Sequence, residues 1–92
     1  MSVLVRYPAS QMFKGQYDAV RSALTEAGEW PPDGCQFHIC YGPDNDMRVR
    51  EVWESWAKYE AWSETLRPRT EEAGIEMGGE PEVFDVYTFE TL

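Results

Sequence analysis

The stretch Val52-Trp53-Glu54-Ser55-Trp56-Ala57-Lys58-Tyr59-Glu60-Ala61-Trp62 decides how this chain folds. Val52 and Trp53 close a strand. Ser55 stands where a hydroxyl can accept a hydrogen bond from an exposed backbone N–H and so cap a helix. Behind it, Trp56, Tyr59, Ser63 and Leu66 recur at i, i+3, i+7 and i+10, and Trp62 widens that stripe through Leu66, four residues on. Three of the four tryptophans lie in this segment. A helix face this aromatic must be covered, and so short a chain offers mainly a sheet to cover it.

Moving upstream, residues 47–53 and 35–41 read as two strands joined by Gly42-Pro43-Asp44-Asn45-Asp46, a hairpin loop of ordinary length. Phe37, Ile39 and Tyr41 fall on one face of the earlier strand, with Gln36, His38 and Cys40 on the other. Glu29-Trp30-Pro31-Pro32-Asp33-Gly34 is a turn-rich loop. Before it, residues 10–27 read as a helix with Phe13, Tyr17, Val20 and Leu24 along its apolar stripe. Gly28 stops this helix, and Gly15 weakens its first turn. Val3-Leu4-Val5-Arg6-Tyr7 is a β-branched first strand ended by Pro8. Downstream, the second helix runs from Ser55 to about Leu66. Arg67-Pro68 interrupts it, because the residue before proline avoids helical dihedrals, and a further turn then ends at Gly74. Residues 81–90 alternate as a long last strand.

The order is βαββαβ: an α+β, ferredoxin-like unit with a four-stranded antiparallel sheet and both helices on one face, in one domain spanning residues 1–92. The strands carry apolar residues on both faces, so the face without helices needs a partner, and a two-fold homodimer packing sheet against sheet supplies one.

The formal charge of −9, with basic residues scattered, disfavours nucleic acid as a partner. No apolar run reaches the length of a membrane span, and no signal peptide opens the chain. A cytoplasmic location follows as the expectation. Cys35 and Cys40 on one regular strand would lie about 16 Å apart on opposite faces, too far to bridge. Two thiols, one histidine and no ligand spacing leave no metal site to expect.

His38 is the sole histidine. If Gly42 pairs with Met47 across the hairpin, positions summing to 89 face each other. His38 then meets Glu51, Gln36 meets Trp53 and Cys40 meets Val49. A carboxylate beside an imidazole orients the ring and favours its protonated form, which is how a general base is tuned. The same pair can equally be a cross-strand contact that holds register. Trp53, Trp56, Tyr59 and Trp62 are either pocket walls or plain core. Arg48 and Arg50, on the other face of their strand, either grip an anionic substrate or pair with Asp44 and Asp46. Asp85 is a buried acid or an inward charge guarding a sheet edge.

The spacing Trp53, Ser55, Tyr59, Trp62 resembles a pattern of the antibiotic-biosynthesis-monooxygenase-like group in the dimeric α+β barrel superfamily. More broadly, the chain looks like small stand-alone actinobacterial proteins of that superfamily. The group includes haem-degrading and quinol-type monooxygenases and members without known activity. The haem-degrading members carry an iron-ligating histidine late on the second helix, where this chain has Glu72, and an asparagine on the first strand, where this chain has none. The resemblance therefore implies a homodimer that binds a small apolar or aromatic molecule in a helix–sheet cleft and uses no cofactor. As an enzyme it would oxygenate an electron-rich aromatic, or catalyse a related proton-transfer or cyclisation step. His38 would be the base, Glu51 its orienter, and Trp53, Tyr59, Trp62 and Arg50 the substrate contacts. The rival expectation is a non-catalytic binding or interaction protein whose cleft is filled by its own tryptophans.

Overall fold

A computed structural model describes residues 1–8 and 11–92, so Ser10, read above as the start of the first helix, lies outside the described residues. Six elements follow the expected order: β1 (Val3–Arg6), α1 (Lys14–Glu26), β2 (Cys35–Tyr41), β3 (Arg48–Trp53), α2 (Trp56–Glu72) and β4 (Glu82–Asp85). The strands form one antiparallel sheet in the order β2-β3-β1-β4, the split βαβ arrangement of the ferredoxin-like fold. Both helices pack on one face. Val20 and Leu24 of α1 and Tyr59 and Trp62 of α2 share a buried cluster with Val3, Val5 and Trp53 of the strands and with Ile75.

The local chemistry that sets these elements is visible at their ends. The Ser55 hydroxyl accepts the Lys58 N–H at 3.2 Å, which caps α2 as the sequence suggests. The Phe13 N–H donates to Gln16 Oε1 at 2.8 Å, and the Gln16 amide donates in turn to the Gly74 carbonyl at 3.1 Å, joining the start of α1 to the end of α2. Gly74 takes a positive φ of 74° just past α2, the left-handed stop that a glycine adopts without steric penalty. At the hairpin tip the Met47 N–H donates to the Met12 carbonyl at 2.8 Å, so the β2–β3 turn is anchored against the approach to α1.

Three expectations are corrected. First, α2 is not interrupted at Pro68 but runs through it to Glu72. An interior proline removes one helical hydrogen bond. Here α2 is tied down beyond that point by the Arg69–Glu29 ion pair at 3.0 Å and by the burial of Ile75 just past its end. Secondly, β4 pairs over only four residues. It pairs with Val3–Arg6 of β1, and beyond them the Val86 N–H donates to the Ser2 carbonyl at 3.0 Å. Asp85 on this edge is exposed rather than buried. Thirdly, a bulge at Gln36 breaks the hairpin register at its far end. Cys35, not Gln36, faces Trp53. The extra residue turns Cys35 inward against the core while Phe37 stays on the outer face. Both cysteines therefore lie on the helix-covered face, contrary to the expectation from simple alternation, and both are free.

The face without helices carries one row that is apolar across all four strands, next to a row of Ile39, Arg50, Arg6 and Glu82. The pairings align Phe84, Leu4, Val52 and Phe37 in one row over all four strands. Phe37, Ile39 and Tyr41 are 42%, 40% and 38% exposed there. The Phe89 ring, past β4, packs on Phe37 with centroids 5.9 Å apart.

Candidate functional site

Glu51 lies on β3 between Arg50 and Val52, and alternation turns it under the helices, with Val5 of β1 on one side and His38 of β2 on the other. Its side chain is 3% exposed. Three donors converge on it: the Tyr7 hydroxyl at 2.8 Å and the Trp53 indole N–H at 3.1 Å on Oε1, and His38 Nδ1 at 2.7 Å on Oε2. An ionised carboxylate, an acceptor only, satisfies all three. Nδ1 of His38 donates in that arrangement, and in the tautomer with its single ring proton there Nε2 is an acceptor. That nitrogen, Nε2, faces the Tyr17 hydroxyl at 2.6 Å. The Tyr17 oxygen in turn accepts Arg21 Nη1–H at 3.3 Å. The result is one polar line, Glu51–His38–Tyr17–Arg21, running from the centre of the sheet to α1.

Indole rings frame this line. The Arg21 guanidinium lies 3.8 Å over the Trp30 ring, close enough for a cation–π contact. Trp30 meets His38 edge-on at 5.0 Å and Trp62 at 6.4 Å. Beside the line opens a mostly apolar cavity of about 90 Å³, bordered by Tyr17, Arg21, Trp30, His38, Glu51 and Trp62 among others. A wider groove of about 370 Å³ runs along the other side of α2, past Trp56, Tyr59 and Glu80.

The structure brings His38 and Glu51 together as the hairpin register predicts, and it places Trp62 on the cavity wall. The other expected contacts lie elsewhere. Trp53 is fully buried and donates to Glu51 without reaching the cavity. Tyr59 is buried against Trp53 and borders the wider groove. Trp56 is 42% exposed, stacked on the outside of Tyr59. Arg50 points to the outer face, where it donates to the Tyr41 hydroxyl at 3.0 Å, while Arg48 pairs with Asp46 at 3.2 Å. Four residues of the site were not legible as such: Tyr7, Tyr17, Arg21 and Trp30. Tyr17 was assigned to the sheet-facing stripe of α1, and Arg21 follows it by one helical turn, but nothing local to α1 shows that His38 lies opposite.

Burial governs the ionisable groups around the line. It pushes the Tyr7 phenol well above its ordinary range, and the negative Glu51 adds to the effect. Burial also raises Tyr17, opposed by Arg21, and raises Tyr59. It lifts the Cys35 thiol from 9.0 to about 11. In each case the folded chain keeps a proton that the unfolded chain releases first. The stabilisation is thus complete below the ordinary thiol and phenol values and is lost as pH rises through them toward the raised ones. Urea midpoints should fall progressively above about pH 9, and Tyr7→Phe should flatten that fall. A midpoint constant up to about pH 11 would contradict the assignment of these groups as buried and protonated.

No protein-family model matches the sequence, and no curated protein matches it. Solved structures do. A protein from Chloroflexus aurantiacus, provisionally named an antibiotic biosynthesis monooxygenase, matches with a TM-score of 0.60 at 18% identity, over 98% of this chain and 95% of that one. A protein of unknown function from Nitrosomonas europaea matches with a TM-score of 0.53 at 14% identity, over 99% and 92%. A monooxygenase of Streptomyces coelicolor, solved in complex with nanaomycin D, matches with a TM-score of 0.52 at 17% identity, over 99% and 88%. At these identities the likeness establishes the shared fold along nearly the whole chain.

Proposed function

We propose that this chain is a member of the antibiotic-biosynthesis-monooxygenase-like group, a cytoplasmic homodimer that binds a small apolar or aromatic molecule in the cavity beside His38 and acts on it without a cofactor. The observation that carries this reading is the buried Glu51 paired at 2.7 Å with the partly buried His38, at the wall of an apolar cavity. In the proposed reaction His38 is the base on which the proton lost by an activated CH₂ of the substrate comes to rest, and Glu51 holds the resulting imidazolium. The electron pair left on carbon attacks dioxygen. One oxygen atom stays as a carbonyl and the other leaves as water with the two hydrogens of the CH₂, so no external reductant is needed. Trp62 and Trp30 supply the walls, and Trp53 supports the base through Glu51.

The test is dioxygen uptake with benzylic carbon acids of the size of indene. His38→Ala should lower turnover by about 100-fold or more, the scale of lost general-base catalysis. Undiminished turnover in that variant would remove His38 from the mechanism.

One observation favours a second reading, a non-catalytic binding or interaction protein of the same fold. The cavity, at about 90 Å³, is smaller than the roughly 150 Å³ that accommodates benzene in an engineered protein core. Trp62 also packs against both Trp53 and Trp30, so the indoles fill much of the cleft. Saturable quenching of tryptophan fluorescence by toluene separates the two readings: the first requires it, and a cleft closed by its own side chains shows none.

A further inference from the structure

His38 has no ring nitrogen free for a ligand. Nδ1 is held by Glu51 at 2.7 Å and Nε2 by the Tyr17 hydroxyl at 2.6 Å. Tyr17 is the hydroxyl of this line that borders the cavity, and it has an unused acceptor site beside His38 Nε2. Its proton is committed to Nε2 and one lone pair receives Arg21 at 3.3 Å, which leaves a second lone pair. Arg21 itself makes no ion pair with a carboxylate among the described residues, and its Nε is a buried donor without a partner. In a chain of net charge −9, an arginine with no acid beside it, stacked on Trp30 at the edge of an apolar cavity, leaves its positive charge available to something that enters.

We infer that Tyr17 is a further catalytic residue: its hydroxyl meets the acidic X–H group of the bound molecule and relays that proton to His38. This rests on the reading of the cavity as a ligand site. In the step, the X–H bond breaks and its proton joins the Tyr17 oxygen, while the original Tyr17 O–H bond breaks and that proton joins His38 Nε2. The electron pair of X–H stays on X, and Arg21 faces the anion so formed. Glu51 balances the imidazolium. The direction of the line is set by the negative charge of Glu51, which keeps the proton on Nδ1 and leaves Nε2 open as the terminus. Burial keeps the Tyr17 phenol protonated, so it passes a proton on rather than holding a negative charge.

The probe is 4-nitrophenol, a planar acid whose neutral and ionised forms differ in colour, read together with the ring signals of His38, the single histidine. In the wild-type protein the bound dye should ionise at least about one pH unit, or tenfold, below its midpoint in solution, and His38 should become doubly protonated in the same titration. Tyr17→Phe should bind the dye with affinity within about threefold, since it loses a single weakly net-stabilising hydrogen bond, yet leave it neutral with His38 carrying only its Nδ1 proton. Glu51→Gln supplies an independent variant. Its amide N–H₂ would face Nδ1 and move the ring proton to Nε2, so Tyr17 could only accept, and the dye again stays neutral. Ionisation undiminished in Tyr17→Phe, or a bound wild-type dye that stays neutral, overturns the relay. If toluene quenches tryptophan fluorescence while the dye binds unionised, the relay falls and the ligand cavity stands. If neither molecule binds, both fall.

Discussion

Glu51→Ala should destabilise the protein by about 3–5 kcal/mol, the scale for removing one partner of a buried charged hydrogen-bonded network. The loss is large because one carboxylate satisfies three groups at once: the Tyr7 hydroxyl, the Trp53 indole N–H and His38 Nδ1. Trp53 is fully buried and Tyr7 half-buried, and the Trp53 donor cannot turn to solvent without unpacking the sheet from the helices. Each buried donor left without an acceptor carries a penalty of about 1–3 kcal/mol. Glu51→Gln should lose much less. A glutamine with its carbonyl at the Oε1 position still accepts from Tyr7 and Trp53, and only the contact to His38 reverses its sense. Urea unfolding followed by circular dichroism measures both variants. Equal losses for alanine and glutamine, or a loss below about 1 kcal/mol for alanine, would mean that water takes over the acceptor role.

In the proposed sheet-to-sheet homodimer, Ile39→Asp should raise the dissociation constant by about 100-fold or more, or about 2.7 kcal/mol. The row Phe84, Leu4, Val52 and Phe37, with Ile39 and Tyr41 beside it, leaves a broad apolar strip on the side without helices. Isolated exposed apolar residues are ordinary, whereas a contiguous strip across four strands is the kind of surface the proposed homodimer would bury. A carboxylate at position 39 would lose its hydration in the interface with no cation directly opposite except Arg50, already bonded to Tyr41. Within one chain the same side chain is 40% exposed, so the fold itself should tolerate the change. Sedimentation at micromolar concentration, with circular dichroism to confirm retained structure, reads the outcome. A wild-type protein that sediments as a monomer would refute the sheet-to-sheet assembly, and an aspartate variant that stays dimeric would place the interface elsewhere.

How far the site could be read depended on the sequence separation of its parts. His38 and Glu51 face each other across a short hairpin, and one loop length decides their register, so the pair was legible. Gln36 was misplaced for the opposite reason: the bulge serves the packing of Cys35 and Phe37 on opposite sides of the sheet, a demand that no hairpin rule contains. Pro68 shows the same limit in a helix. Its local preference argues for a break, but the Arg69–Glu29 ion pair and the buried Ile75 hold the helix on course.

By itself the sequence determined the element order, the two-faced apolar sheet and the shared face of His38 and Glu51, because periods of two and of 3.6 residues act over neighbours along the chain. Only the tertiary structure decided that Tyr17, Arg21 and Trp30 complete the line begun by His38, that Trp53 serves the carboxylate instead of a ligand, and that the helices cover the face of His38 and Glu51, leaving Arg50 to bond Tyr41 outside. Those relations join α1, the loop before β2 and the sheet across tens of residues. They are set by which side chains fill the space between helix and strand, a condition met by the whole packed core at once.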